Sequence, residues 1–432
     1  MTTALAAGIG EQVCSLTTPA GMVLHLLPKK GFRTVHAMLA VGYGSLDRRF
    51  AQPGSGYAEV PDGVAHFLEH RLFSSPRGDV GDRFAALGAE VNAHTTYTST
   101  AFFFSGADCL GECLDLLLDF VFSLELSPEG IAREREIIAR ELQLYGDNLE
   151  WISFIEALHA LYGDHPLGVD IAGTPASIAA IDAGVLQRCY SAFYRPRNMV
   201  LVAAGDFDVD WLASRVCRNL EGHPSSAPPQ LAREAWGYRG PGRSVVYLPV
   251  ALPRLCVGFA DLGPPLRGEA LLRRELCAEL VFDILFGAAS DFYARHYETG
   301  LIDGESFGCE LYVEPEFSFA LVCGDTPDPQ RLEDEVVKTL ETATHSDLLE
   351  KGFARAARRA YGLAVQRLDQ VEGAVGAIYS AVSRGAEPFG LFEAHHQLSP
   401  GELRVFLREH LLPARRGSAL VLPGRLGERD GK

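Results

Sequence analysis

The alternation of apolar and polar positions along this chain runs through one order of elements and then repeats it. The strand-like runs "TVHAMLAVGYGS" (34–45) and "RLCVGFADLGPP" (254–265) each precede a helical run, "DGVAHFLEHRLF" (62–73) in one case and "LRRELCAELVFDILFG" (272–287) in the other. Glycine-marked strands follow in both places, "LGAEVNAHTTYTSTAFFFSG" and "TGLIDGESFGCELYVEPEFSFALVCGDT". Each leads into an amphipathic helix, "CLGECLDLLLDFVFSL" or "RLEDEVVKTLETA". The two series close on "IDAGVLQRCYSAFYRPRNMVLVAAGDF" and "LSPGELRVFLREHLLPARRGSALVLPGRL". Matching elements in matching order mark an internal duplication. Successive strands without intervening helices predict an α+β chain of two homologous domains, each a mainly antiparallel sheet covered by helices.

The Pro/Ser-rich stretch "EGHPSSAPPQLAREAWGYRGPG" (221–242) reads as the connection. The expected division is an N-terminal domain over 1–222, a linker over 223–240 and a C-terminal domain over 241–432. The length, 432 residues, agrees with more than one hydrophobic core.

Composition narrows the setting. Apolar residues make up 47% of the chain, yet charge and glycine interrupt every run well short of the ~20 residues that cross a bilayer. Glu11 breaks the one apolar segment near the N-terminus, and no basic stretch precedes it, so a soluble cytoplasmic protein without membrane partners is expected. Nine scattered cysteines, an odd number, fit reduced thiols. A formal charge of −17 argues against nucleic acid, whose phosphates need a basic face.

Chemistry concentrates in "PDGVAHFLEHRLF" (61–73). His66 and His70 stand one helical turn apart, which brings their Cβ atoms to about 5–6 Å on one face, a spacing suited to two ligands of one zinc. Glu69, at i+3 from His66, stands where a carboxylate can take a proton from water at that metal. Asp62 and Gly63 supply the expected helix N-cap. The corresponding helix of the second half carries no histidine, so the fold does not require these side chains.

A catalytic zinc needs a third protein ligand and an open fourth position. "SPEGIAREREIIARELQLYGDN" (127–148) offers Glu134, Glu136 and Glu141, with Ile131, Ile137, Ile138 and Leu142 as its packing side. Glu134 and Glu141 share a face, two turns apart. Pattern alone leaves all three glutamates open.

Taken in order, "GVAHFLEHRLF", "LGAEVNAHTTYTSTAFFF", "REREIIARELQLYGDN", "HPLGVDIAGTPASI" and "YRPRNMVLVAAGD" resemble the inverted-zinc-motif metallopeptidases of the pitrilysin family, in particular the half-size bacterial branch similar to mitochondrial processing peptidase. The resemblance covers nearly the whole chain. It implies Zn2+ on His66, His70 and Glu141, Glu69 as catalytic base, and Glu134 as the second acidic residue beside the metal. It implies an edge strand at "VNAHT", with Asn92, Ala93 and Thr95 binding substrate as an added strand. The arginine and tyrosine that many relatives use to hold substrate do not carry over: in "FYARHYETGLIDGES", Arg295 and Tyr297 stand at another spacing, and Leu301 or Asp303 takes the tyrosine's place.

The resemblance further implies a zinc endopeptidase acting on peptides or short unstructured segments, possible substrates being leader peptides or precursors. It also implies a chamber formed by a dimer, either with itself or with a related subunit lacking the zinc motif. The alternative from the same family is a non-catalytic peptide-binding or scaffolding subunit.

Overall fold

A computed structural model describes residues 2–424 apart from 6–9, 52–53, 55, 76–77, 224, 234–237, 239 and 262. The first sheet contains β1 (Thr2–Leu5), β2 (Gln12–Thr17), β3 (Val23–Pro28), β4 (Val35–Val41), β5 (Ala89–Thr95), β6 (Thr100–Gly106) and β7 (Met199–Gly205), in the order β1-β2-β3-β7-β4-β6-β5. The second contains β8 (Arg243–Leu248), β9 (Arg254–Asp261), β10 (Gly308–Val313), β11 (Ser318–Asp325) and β12 (Arg416–Pro423), in the order β8-β12-β9-β11-β10. In each sheet the last strand enters between two earlier ones, parallel to the first of them and antiparallel to the second. All other pairings within these sheets are antiparallel. The shared topology is the duplication read from the hydrophobic pattern.

Position in the sheet explains each strand's composition. β4 and β9 lie inside their sheets and are buried at every residue, so both are mainly apolar, with His36 in β4 and Arg254 and Asp261 at the ends of β9 as the polar exceptions. β5 is an edge strand and alternates between protected and exposed positions. Beneath the first sheet lie α1 (Val64–Phe73), α2 (Leu110–Val121), α3 (Pro128–Tyr145) and, further along, α5 (Ala183–Phe193), whose apolar residues join Leu39, Phe102, Phe104 and Leu201 in one core. The helix between them, α4 (Leu149–Tyr162), packs instead on the second sheet, whose core also takes in α6 (Glu269–Phe286).

The chain therefore divides into two units that are discontinuous in sequence. One combines Met1–Leu144, Val169–Glu234 and Val365–Ser380; the other combines Tyr145–Gly168, Ala235–Ala364 and Ala381–Lys432. Each half of the sequence gives one helical segment to the other half's unit. For the second unit the reason is visible in its glycines. Gly258 and Gly417 are cross-strand partners, and a Cβ on Gly417 would come 2.7 Å from the Ala160 carbonyl carbon of α4. The bare backbone is what lets the helix lie so close.

Register and helix seating add two local facts. Cys256 and Cys323 face each other directly across β9 and β11; register, which spacing along the chain does not reveal, brings this pair together. Ile137 lies on the outer side of α3, because Ile131, Glu134 and Ile138 form its buried stripe.

His36 of β4 provides a test of the first core. Its Nδ1 pairs with Ser105 Oγ at 2.7 Å, its Nε2 is buried without a partner among the described residues, and burial lowers its pKa to about 4. Below the ordinary value near 6.5 the unfolded chain takes up a proton that the folded chain refuses, so stability falls as the pH drops toward 4. The loss between pH 7 and pH 5 is about 2 kcal/mol. Urea midpoints at the two pH values should differ accordingly, and His36→Gln should shrink that difference.

Candidate metal centre

The local sequence fixes where α1 begins and which way it faces. Gly63 is the N-cap residue with φ 87°, and a Cβ there would meet the Ala172 carbonyl oxygen at 2.4 Å, so a glycine is needed on both counts. Asp62 does not cap the helix; its carboxylate instead pairs with Arg48 at 3.0 Å. Val64, Phe67, Leu68 and Leu72 enter the core, which leaves His66 and His70 on the opposite side with ring centroids 4.6 Å apart.

α3 crosses this side of α1. Ser127 starts it by accepting the Gly130 N–H at 3.0 Å, and Ile131 and Ile138 seat it in the core. Glu141 Oε2 then lies 3.3 Å from His70 Nε2, and Glu141 Oε1 lies 3.7 Å from His66 Nε2. One ligand atom from each of His66, His70 and Glu141 falls within a 4.8 Å cluster. Glu136 points away and pairs with Arg140 at 3.8 Å on the exposed side.

Glu134 sits behind the cluster. Its Oε2 is 3.4 Å from His70 Nδ1, its Oε1 accepts from the Ser74 hydroxyl, and Arg71 stands 3.7 Å away. Arg71 also donates to the Glu125 carbonyl at 2.8 Å. Sequence reasoning did not single out Arg71 and Ser74, since neither belongs to the motif and their shared partner lies some sixty residues on.

The charges in this cluster are unevenly held. Burial, reinforced by the neighbouring His70, lowers the His66 pKa to about 4. Burial would lower His70 as well, but hydrogen bonds to Glu134 and Glu141 outweigh it and raise its pKa to about 9. Burial would raise the pKa of Glu134, yet the bonds from His70 and Ser74 lower it. Glu69 is pushed up by burial, against the pull of a hydrogen bond from Thr95. Without a metal the two ring nitrogens of His70 each face a carboxylate, Nδ1 toward Glu134 and Nε2 toward Glu141; a metal cation bound at Nε2 would displace the proton there.

The residues fit zinc by donor chemistry and by spacing. Two imidazoles and a carboxylate are a common zinc set, and tetrahedral bonds of about 2.0–2.1 Å separate ligand atoms by about 3.3–3.4 Å. Glu141 lies at 3.3 Å from His70 Nε2 through one oxygen and at 3.7 Å from His66 Nε2 through the other, and needs little adjustment. Nδ1 of His70, turned to Glu134, leaves Nε2 as its ligand atom.

Beside the cluster runs the free edge of β5. The Thr96 N–H donates to the Ser99 carbonyl at 2.8 Å, so Thr96 turns its backbone toward β6. By the alternation of an antiparallel ladder, His94 and Asn92 do likewise, while Val91, Ala93 and Thr95 turn theirs to the edge. The Ala93 N–H is met there by the Asn92 side-chain oxygen at 2.8 Å. The Thr95 side chain turns inward, and its hydroxyl donates to Glu69 Oε2. In the second half, Leu301 is buried and Tyr297 is 57% exposed.

Known proteins share this arrangement of sequence and fold. Residues 50–175 match the family described as insulinase (peptidase family M16), and residues 180–359 match the peptidase M16 inactive domain. The uncharacterized zinc protease YmfH of Bacillus subtilis is 36% identical over 324 residues, covering 74% of this chain and 76% of that protein. The crystal structure of an M16-like peptidase from Alicyclobacillus acidocaldarius superposes with a TM-score of 0.91 at 33% identity, over 97% of this chain and 100% of that one. The Escherichia coli periplasmic protease PqqL has the same fold at 14% identity and a TM-score of 0.74, over 98% of this chain and 48% of that longer one. The fold is thus that of a duplicated α+β peptidase. The chain belongs to peptidase family M16, in its half-size bacterial branch. Among the described residues, no helix is long and apolar enough to cross a membrane.

Proposed function

We propose that this protein is a zinc-dependent endopeptidase that hydrolyses peptides or short unstructured polypeptides. The observation that carries the reading is the meeting of three groups: the His66–His70–Glu141 cluster, the Glu69 carboxylate next to it, and a free strand edge that ends at Thr95. His66, His70 and Glu141 hold the zinc, and Glu134 holds His70 in the tautomer that offers Nε2. Bound zinc supplies Lewis acidity, which acidifies water and polarises a peptide carbonyl.

The chain's own residues do the rest. An extended substrate adds to β5 through the edge-facing backbone of Val91, Ala93 and Thr95, displacing the Asn92 side chain from the Ala93 N–H. This mode reads backbone more than side chain, so it selects segments that can become a strand and excludes folded proteins. Glu69 accepts a proton from the attacking water and delivers it to the nitrogen of the leaving amine. No covalent intermediate is required.

The dimer chamber remains part of this reading. A fold match to 48% of a longer protease supports an assembly in which a second chain, identical or related, supplies the remainder. The proposed compartment is the cytoplasm.

Purified protein, with its partner chain where one co-purifies, should contain about one zinc per chain by mass spectrometry and cleave a panel of unstructured peptides. Removal of zinc with a chelator should stop cleavage, and added zinc should restore it. Zinc and peptide binding without cleavage would instead identify a non-catalytic peptide-binding subunit.

A further inference from the structure

Thr95 belongs to the strand edge and also touches the proposed base. Its backbone faces the free edge of β5, while its hydroxyl donates to Glu69 Oε2. The neighbouring hydroxyls fix where its proton goes. Thr100, fully buried, donates its own proton to the Tyr43 carbonyl at 2.9 Å and stands 3.3 Å from the Thr95 oxygen. Thr95 is therefore left with a carboxylate or a hydroxyl as acceptor, and the carboxylate is the stronger. Glu69 Oε1 makes no hydrogen bond among the described residues, so one carboxylate oxygen is clamped and the other is free.

We propose that Thr95 is a positioning residue: its hydroxyl holds the Glu69 carboxylate in register with the strand on which substrate is laid, so that docking and proton transfer share one anchor. This rests on the peptidase reading above, in which Glu69 is the base. The Thr95 methyl and backbone serve the fold and the edge; the hydroxyl serves orientation. Valine keeps the shape and removes only the hydroxyl, whereas serine keeps the hydroxyl and removes only the methyl.

The test compares Thr95→Val and Thr95→Ser with the wild type in zinc content, in kcat and KM on an unstructured peptide, and in crystal structures of the three proteins. Thr95→Val should keep its zinc and its KM, lose kcat by about tenfold to a hundredfold, and show the Glu69 carboxylate turned from its wild-type position. Thr95→Ser should stay within about twofold of the wild-type kcat, with Glu69 in place. An unchanged kcat in Thr95→Val, or a loss confined to KM, overturns the proposal. Should the wild type cleave nothing, the peptidase reading falls separately. The crystal structures then decide the positioning claim: an unmoved Glu69 in Thr95→Val overturns it, and a displaced one supports it.

Discussion

Glu69→Gln is expected to bind zinc as the wild type does and to cleave peptides about 10²- to 10⁴-fold more slowly, the range that a positioned general base contributes. The substitution keeps the side chain's size and its ability to accept the Thr95 hydroxyl, while removing its capacity to carry a proton. His66, His70, Glu141 and Glu134 are untouched, so metal content should not change. Parallel assays of zinc content and peptide turnover give the answer. Equal turnover in Glu69→Gln and the wild type would end the assignment of Glu69 as base.

The second large effect concerns the metal. His66→Ala removes one of three ligands and should abolish stoichiometric zinc and cleavage together. Glu134→Ala leaves all three ligands but frees the His70 ring, which Glu134 and Ser74 otherwise hold through a shared network. Its cost should be smaller, about 10- to 100-fold in zinc affinity, and added zinc should recover part of the activity. Competition with a chromophoric chelator ranks the variants. Zinc retained at full affinity by His66→Ala would show that the ion lies elsewhere.

The motif on α1 is visible in the sequence because a helix fixes the spacing of His66, Glu69 and His70 whatever surrounds it. The third acidic residue is not visible in the same way. Glu134, Glu136 and Glu141 all occur on one glutamate-rich helix, and the choice of Glu141 came from resemblance. In the structure Glu141 and Glu134 reach α1, while Glu136 lies among solvent-facing charges. The burial that separates them depends on how α3 is seated, which hydrophobic period alone does not state. Thr95 was identified as a substrate contact, and its bond to Glu69 spans 26 residues of sequence. No local pattern encodes such a contact.

The sheets show the same division. Central strands such as β4 announce themselves as mainly apolar runs, interrupted there only by His36, and the β5 edge by its alternation. The period of a helix tells which side it buries but not against which sheet. α4 follows α3 directly in the sequence, yet it belongs with the second sheet.

That exchange ties the candidate metal centre to a half of the sequence that contributes none of its three residues. Glu141 lies on the last turn of α3 before the chain passes, at Tyr145, into a segment held by the other unit. The first unit in turn depends on a segment, Val365–Ser380, that is synthesised long after the histidines. A nascent chain that has just made Glu141 still lacks part of the unit to which His66, His70 and Glu141 belong. The unit that holds His66, His70 and Glu141 is therefore not complete until residues well into the second half have been made.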